Sequence, residues 1–281
     1  GALRFAERRR LPFVLTPFTH LGAGPEPGSD RPSRVYTMRH QLDIARRSAA
    51  LIAMTPTEQN FYTARGVDDG HIHVVGSGVT PTRLLGGDEQ AFRRQFGIET
   101  PIAAYLNALA YDKGAMTTIE ALRRLWDQGH VVSLVMAGSM MADVRRYIAG
   151  LPQTIRQRVI VLGPIDEQTK RDLLAACSVL VNPSRIDSFG IVFLEAWLYR
   201  KPVIGSTAWG MADVVSDGSD GLLTPFGDAE ALAAAIACII RDHDLSAHLG
   251  AAGEAKVYRQ HTWERKYAML SEIYRELVTS P

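Results

Sequence analysis

Six short apolar segments alternate with helix-like stretches over much of the chain, and this alternation constrains the fold more than any other feature. The segments are IAAYLN, VVSLVMAG, RVIVLG, SVLVNPS, KPVIGS and GLLTP, between residues 102 and 225. Strands that are apolar along their whole length are typical of parallel sheets covered by helices on both faces. The sequence therefore predicts a doubly wound, Rossmann-like α/β domain.

A shorter alternation of the same kind precedes this domain, and one amphipathic helix follows it. We predict a partial N-terminal domain over residues 1–80, a complete Rossmann-like domain over 81–262, and a helix over 263–281 that packs back on the first segment. The expected apolar side of that helix comprises Trp263, Tyr267, Leu270, Ile273 or Tyr274, and Leu277.

Composition excludes several classes of protein. The 281 residues carry 31 basic and 30 acidic side chains, a net charge of +1. The chain therefore has no excess of positive charge that would attract nucleic acid. Cys177 and Cys238 lie in apolar surroundings and are predicted to be buried thiols rather than a disulfide or metal site. No segment has the pattern of a membrane span or a signal peptide, so a cytoplasmic location is predicted. The basic stretch at residues 4–11 allows a peripheral membrane contact.

Two acids, Asp187 and Glu195, stand eight positions apart in SRIDSFGIVFLEAWLYRKPVIG. The stretch contains a loop that follows a strand, and then a helix that is predicted to begin at Gly190. At such a junction the amides of Phe189, Gly190 and Ile191 would face a ligand above the sheet, which favours phosphate. Carboxylates beside a phosphate site suit hydrogen bonds to sugar hydroxyls. The alternative is that Asp187 caps the helix and Glu195 is solvated.

The stretch PSRIDSFGIVFLEAWLYRKPVIG resembles the signature of retaining nucleotide-sugar glycosyltransferases of the GT-B fold. These are the group 1 glycosyltransferases, which include sucrose-phosphate synthases and bacterial mannosyltransferases. The resemblance implies two facing Rossmann-like domains and transfer of a hexosyl unit from a nucleoside diphosphate sugar, without a metal or cofactor. The acceptor would be a hydroxyl of a sugar, lipid or small molecule, and the anomeric configuration would be retained. The resemblance also implies that this chain lacks the first part of the N-terminal domain.

The resemblance also implies roles for individual residues. Asp187 would bind the sugar, Glu195 the ribose, and Lys113 the diphosphate, although Lys113 also fits a solvated turn residue. His20 follows a strand, as does a family histidine near the transferred sugar, which implies a catalytic role together with Asp187. The alternative is that His20 is an ordinary polar residue at the end of the strand. The implied donor-binding set is Lys113, Gly163, Pro164, Ser184, Ser188, Phe189, Gly190, Ile191 and Glu195.

The sequence departs from the family pattern in two places. Asn107 and Ala108 occupy the usual Gly-Arg positions, so one of the two cations that face the diphosphate is absent. Trp209 replaces a usual glycine, and Asp213 stands at a customary glutamate. Ala108 and the expected loss of the first part of the N-terminal domain support an alternative, a catalytically impaired nucleotide-sugar-binding or interaction module. A nicotinamide-dependent dehydrogenase is disfavoured because no Gly-x-Gly-x-x-Gly follows a strand at the required distance from an acid.

Overall fold

The computed structural model describes residues 1–19 and 34–279, and its strands form two parallel sheets. The first sheet has the order β1-β2-β3 and consists of Val14–Leu15 (β1), Ala50–Ala53 (β2) and Ile72–Val74 (β3). The second has the order β6-β5-β4-β7-β8-β9. Its strands are Ile102–Leu106 (β4), Ser133–Ala137 (β5), Val159–Gly163 (β6), Val179–Val181 (β7), Val203–Ser206 (β8) and Leu222–Thr224 (β9). The predicted α/β class is confirmed, and all six strands of this sheet fall within the six predicted segments.

Helices connect the strands of both sheets. They are α1 (Ala2–Arg9), α2 (Arg34–Thr37), α3 (Arg39–Arg46), α4 (Pro56–Thr63), α5 (Pro81–Leu84), α6 (Glu89–Phe96), α7 (Ala115–Asp127), α8 (Ala142–Gly150), α9 (Gln153–Arg156), α10 (Glu167–Ala176), α11 (Ile191–Leu198), α12 (Met211–Val214), α13 (Ala229–Arg241), α14 (His243–Gln260) and α15 (Trp263–Thr279). Single 3-10 turns cover Asp69–His71 and Tyr111–Lys113. In the described ranges, no helix combines the length and apolar character needed to cross a membrane.

The order of the second sheet reverses between β4 and β7. Strands β5 and β6 lie on one side of this pair, and β8 and β9 lie on the other. Two buried clusters belong to this sheet, one containing Trp197 of α11 and the other containing Leu122 and Trp126 of α7. Because the strand order reverses beside β4 and β7, their carboxyl ends border the crevice where open α/β sheets bind ligands.

Helix α15 packs against the first sheet. Its Ile273 is buried in a cluster with Ile52 and Val75, and Leu270 and Leu277 pack at the edge of that cluster. The predicted apolar side is wrong at Tyr267, which is 60% exposed; of the alternatives Ile273 and Tyr274, the structure buries Ile273. The helix turns Lys266 inward instead, and its side chain is buried. The pattern of apolar residues could not reveal this burial, because lysine is charged and does not count toward the apolar side of a helix.

The thiol prediction holds for Cys177, which is buried, whereas Cys238 is only half-buried. Neither cysteine forms a disulfide with another described residue. The domain boundaries at residues 80 and 262 stay predictions.

We call the part of the chain that forms the first sheet the first unit, and the part that forms the second sheet the second unit. Both unusual residues of the AWGMAD stretch join these two units. The Trp209 indole Nε1 donates a hydrogen bond to the Thr19 carbonyl at 3.2 Å. The Asp213 carboxylate accepts one from the Thr57 amide, in the first turn of α4, at 2.9 Å. A carboxylate at a helix N-terminus is favourable, since the free amides there carry partial positive charge. These departures from the family pattern therefore make contacts between the units.

Candidate active site

A cavity of about 260 Å³ lies at the carboxyl ends of β4 and β7. We call it the edge cavity. From the first unit it is lined by Phe18, Met54 and Ser77, and from the second by Leu106, Asn107, Asn182 and residues 187–192. Asn107 directly follows β4, and Asn182 directly follows β7. The fold therefore brings the predicted Asp187 loop to the point where the strand order reverses.

The Asp187 carboxylate is held by three side-chain donors. Lys113 Nζ lies 2.6 Å from Oδ1, and the side-chain amides of Asn107 and Asn182 donate to Oδ2 at 3.2 and 3.3 Å. The side chains of Lys113 and Asp187 are each only 17% exposed. Helix α11 has no side-chain cap, so the alternative role of Asp187 as an N-cap is contradicted. The carboxylate is instead fixed in orientation inside the crevice.

The loop that carries Lys113 is anchored from below by Tyr105. The single proton of the Tyr105 hydroxyl is shared between the carbonyls of Ala108 and Lys113, whose oxygens lie 2.8 and 3.1 Å away. Burial raises the pKa of Tyr105 well above its ordinary value, so the hydroxyl keeps its proton. Gly114 has φ +78°, and a Cβ there would stand 2.5 Å from the Pro183 carbonyl oxygen. Only glycine fits this close approach, which places Lys113 next to the Asp187 loop.

The N-terminus of α11 presents free backbone amides to the edge cavity. Gly190 is the N-cap, with φ +81°, and a Cβ there would lie 2.8 Å from the Phe193 ring. Among the described residues, no acceptor pairs with the backbone amides of Phe189, Gly190 and Ile191. Free amides at the positive end of a helix form a site suited to an anion. The predicted helix start is confirmed, because Gly190 is the N-cap of α11.

Glu195 lies on α11 and forms a separate ion pair. Its side chain is 13% exposed, and Lys170 Nζ of α10 lies 3.0 Å from Oε1. Burial raises the pKa of Glu195, an effect that Lys170 opposes. Burial lowers the pKa of Lys170, but Glu195 and the more exposed Glu167 together raise it above its ordinary value. The alternative that Glu195 is a solvated residue is contradicted.

The remaining predicted residues take different places. Ser184 is fully buried, and its hydroxyl donates to the Asp112 carbonyl at 3.3 Å. This hydrogen bond holds the loop that contains Ser184. Ser188 lines the edge cavity. Gly163 ends β6, and Pro164 follows it; neither lines the edge cavity. His20 lies outside the described residues.

Two residues of this region were not predicted. Asn182 is fully buried directly after an apolar strand, and that position was an available signal for a polar function. Lys170 reaches Glu195 from another helix, 25 residues away in sequence, and no local pattern could reveal the pair. Within the described residues, no cluster of three or more His, Cys, Asp or Glu side chains is placed to hold a metal ion.

The two parallel sheets and the crevice beside them define an α/β protein of the GT-B fold, and solved structures agree. Sucrose-phosphate synthase from Thermosynechococcus elongatus matches with a TM-score of 0.79 and 26% identity, over 99% of this chain and 71% of that one. Anabaena Alr3699/HepE, solved with UDP-glucose, matches with a TM-score of 0.82 and 23% identity, over 98% and 75%. The predicted GT-B fold is thereby confirmed.

The chain belongs to the family of glycosyl transferases group 1, whose model matches residues 88–256, more than half of the chain. Among curated relatives, D-inositol 3-phosphate glycosyltransferase of Xylanimonas cellulosilytica is 29% identical, over 96% of this chain and 68% of its own length. Alpha-maltose-1-phosphate synthase of Mycolicibacterium smegmatis is 26% identical, over 76% of this chain and 59% of its own length. The predicted group 1 family is confirmed, and the chain spans only part of each relative.

Proposed function

We propose that the edge cavity binds a nucleoside diphosphate sugar and that the protein transfers its hexosyl unit to an acceptor hydroxyl with retention at the anomeric carbon. The observation that carries this proposal is the Asp187 carboxylate, which Lys113 and two amides hold beside the free amides of α11. One site thus offers positive charge for a diphosphate and a fixed acceptor for a sugar hydroxyl. The UDP-glucose bound to Alr3699/HepE, a protein of the same fold, supports this class of ligand.

The chemistry requires stabilisation of charge on the leaving group. The acceptor oxygen bonds to the anomeric carbon as the bond from that carbon to the phosphate oxygen breaks, and the acceptor proton leaves with the diphosphate, on which negative charge develops. In the proposal Lys113 and the amides of Gly190 and Ile191 oppose that charge, which lowers the barrier most if they are fixed beforehand. Asp187 accepts a hydrogen bond from a sugar hydroxyl and Glu195 from the ribose. Assistance by His20 remains part of the proposal, as do base recognition near Gly163 and Pro164 and contacts from Ser184 and Ser188.

Calorimetric titration with UDP-, GDP- and ADP-sugars, without added metal, tests donor binding. The structure offers a matched pair of variants, because Glu195 and Glu167 both pair with Lys170, at 3.0 and 2.9 Å. A charged hydrogen bond contributes about 1.5–3 kcal/mol, so Glu195→Gln should weaken the selected donor tenfold or more. Glu167→Gln, at a side chain 70% exposed, should change affinity by less than about twofold. Equal effects of the two variants would remove Glu195 from the donor site.

The second candidate is a nucleotide-sugar-binding or interaction module without turnover, and Ala108 at the usual arginine position favours it. The anomeric configuration of the product, read by NMR of the sugar proton, separates the alternatives. Product with retained configuration supports the enzyme, inverted product contradicts retention, and donor binding without transfer to any acceptor favours the module. A cytoplasmic location and a peripheral membrane contact through the basic α1 remain predictions.

A further inference from the structure

A second, larger cavity of about 610 Å³ lies between the two units. We call it the basic cavity. Phe189 and Met54 line both this cavity and the edge cavity. Its remaining walls come from the start of α4, from the end of β3 and the loop after it, from α12, and from the adjoining ends of α14 and α15. A volume of this size lies within the range of small-molecule sites.

The basic cavity is lined by a buried lysine that has no acidic partner in the described part of the chain. Lys266 is 5% exposed and lies on the face of α15 that buries Ile273. Within the described residues its ammonium reaches one acceptor, the Val75 carbonyl at 2.5 Å, and no carboxylate. Burial alone lowers its pKa to about 8, so it is still mostly charged at neutral pH. A buried, unpaired charge costs stability, and such groups are rare unless a partner compensates them.

His261 adds a second buried side chain with a ring nitrogen available for hydrogen bonding. It is 8% exposed, its ring hydrogen-bonds with the Ser77 backbone, and its buried Nδ1 has no hydrogen-bond partner among the described residues. Burial and the nearby Lys266 lower its pKa to about 4, so the ring is neutral at pH 7. A neutral ring nitrogen can accept a hydrogen bond from a protonated oxygen, or take up a proton beside an anion. Both responses suit a ligand that carries acidic oxygens.

The rim of the basic cavity continues the positive charge. Arg259 and Arg265 are exposed there, and Arg259 pairs with no described residue. Lys256 already pairs with Asp220 at 2.7 Å. The one carboxylate in the lining, Asp213, accepts the amide hydrogen bond from α4 described above. The cations of this lining therefore outnumber its acids, and arginine suits the oxygens of a phosphate in particular.

We propose that the basic cavity is a binding site for a small soluble phosphate monoester, distinct from the nucleotide-sugar site. Its phosphate would lie between Lys266, His261 and the two rim arginines. Its organic part would lie against the apolar lining, which includes Pro56, Val74 and Met269. Such a ligand would supply the counter-charge that Lys266 lacks. It would also lie against Phe189, the residue before the N-cap of α11.

Calorimetric titration of the whole chain with phenyl phosphate tests this site, with phenol and inorganic phosphate as comparison ligands. Phenyl phosphate should bind saturably, inorganic phosphate more weakly, and phenol not at all. Lys266→Met should weaken phenyl phosphate roughly tenfold or more, since it removes a charged hydrogen bond. Arg259→Gln, at an exposed position that cannot disturb folding in the same way, should weaken it several-fold. Lys113→Met, which removes the partner of Asp187 beside the edge cavity, should leave it unchanged.

Three results would overturn the proposal. One is the absence of saturable binding of phenyl phosphate. Another is binding that both Lys266→Met and Arg259→Gln leave intact. The third is binding that Lys113→Met abolishes, which would move the probe to the edge cavity. Circular dichroism of each variant shows whether it is folded, and if Lys266→Met unfolds, Arg259→Gln alone decides. Because none of these readouts uses a nucleotide sugar, failure here leaves the proposed glycosyl transfer untouched.

Discussion

Removal of the Asp187 charge should strengthen the binding of a nucleoside diphosphate while weakening the preference for its sugar. In the structure Lys113 is not free, because its ammonium lies 2.6 Å from the Asp187 carboxylate. A diphosphate must share or take over that ammonium, and it must also approach a carboxylate of like charge. Asp187→Asn keeps the shape of the side chain but relieves both costs.

The magnitude follows from the environment of the pair. Both side chains are 17% exposed, so solvent screens the pair only in part. A charged hydrogen bond contributes about 1.5–3 kcal/mol, and Lys113 can share its three protons, so we use the lower limit. About 1.5 kcal/mol corresponds to roughly tenfold tighter binding of the nucleoside diphosphate. The same variant replaces a charged acceptor for a sugar hydroxyl with a neutral amide oxygen, which weakens that hydrogen bond, so the sugar form should gain less than the nucleoside diphosphate.

Calorimetry of wild type and Asp187→Asn, each with the nucleoside diphosphate and its sugar form, measures both effects. The control is Asp112→Asn, which removes an equal charge one residue from Lys113 but from a different pair, with Arg185 at 2.5 Å. If the control tightens nucleotide binding as much, the effect comes from overall charge. If Asp187→Asn weakens the nucleoside diphosphate itself, the carboxylate does not compete for Lys113, and the reasoning from the ion pair is refuted.

Two further predictions concern single positions. Ala108→Arg should restore a cation opposite the diphosphate and tighten binding of the nucleoside diphosphate tenfold or more in calorimetry, about 1.5–3 kcal/mol, whereas Gln128→Arg at the far end of α7 should not. Burial lowers the pKa of Lys266 to about 8 in the folded chain, below its unfolded value of about 10.4. The unfolded chain then binds more protons above pH 8, so stability should rise by about 1 kcal/mol from pH 7 to pH 9. Urea unfolding of Lys266→Met should lack that rise.

The sequence was sufficient to predict the second sheet and the start of α11, since both depend on local patterns. Continuous apolar runs identified its strands, and Gly190 between a loop and an apolar helix identified the helix start. The contacts of the charged groups could not be predicted in the same way. Lys113 and Asp187 are 74 residues apart, so their pairing depends on how β4 and β7 lie side by side. A helical period shows which face is buried but not which neighbour it meets, which is why the burial of Lys266 was missed.

Phe189 connects the two cavities, and its position is set by residues that no local motif contains. It is 4% exposed, and its ring lies 5.5 Å from that of His261, with an edge-to-face orientation. On the side of the first unit a Cβ at Gly76, where φ is +75°, would stand 3.0 Å from the same ring. Because Phe189 immediately precedes the N-cap of α11, these contacts also help to place the free amides of the edge cavity. The proposed anion site at α11 therefore depends on contacts from both units, although its sequence signature lies entirely in the second.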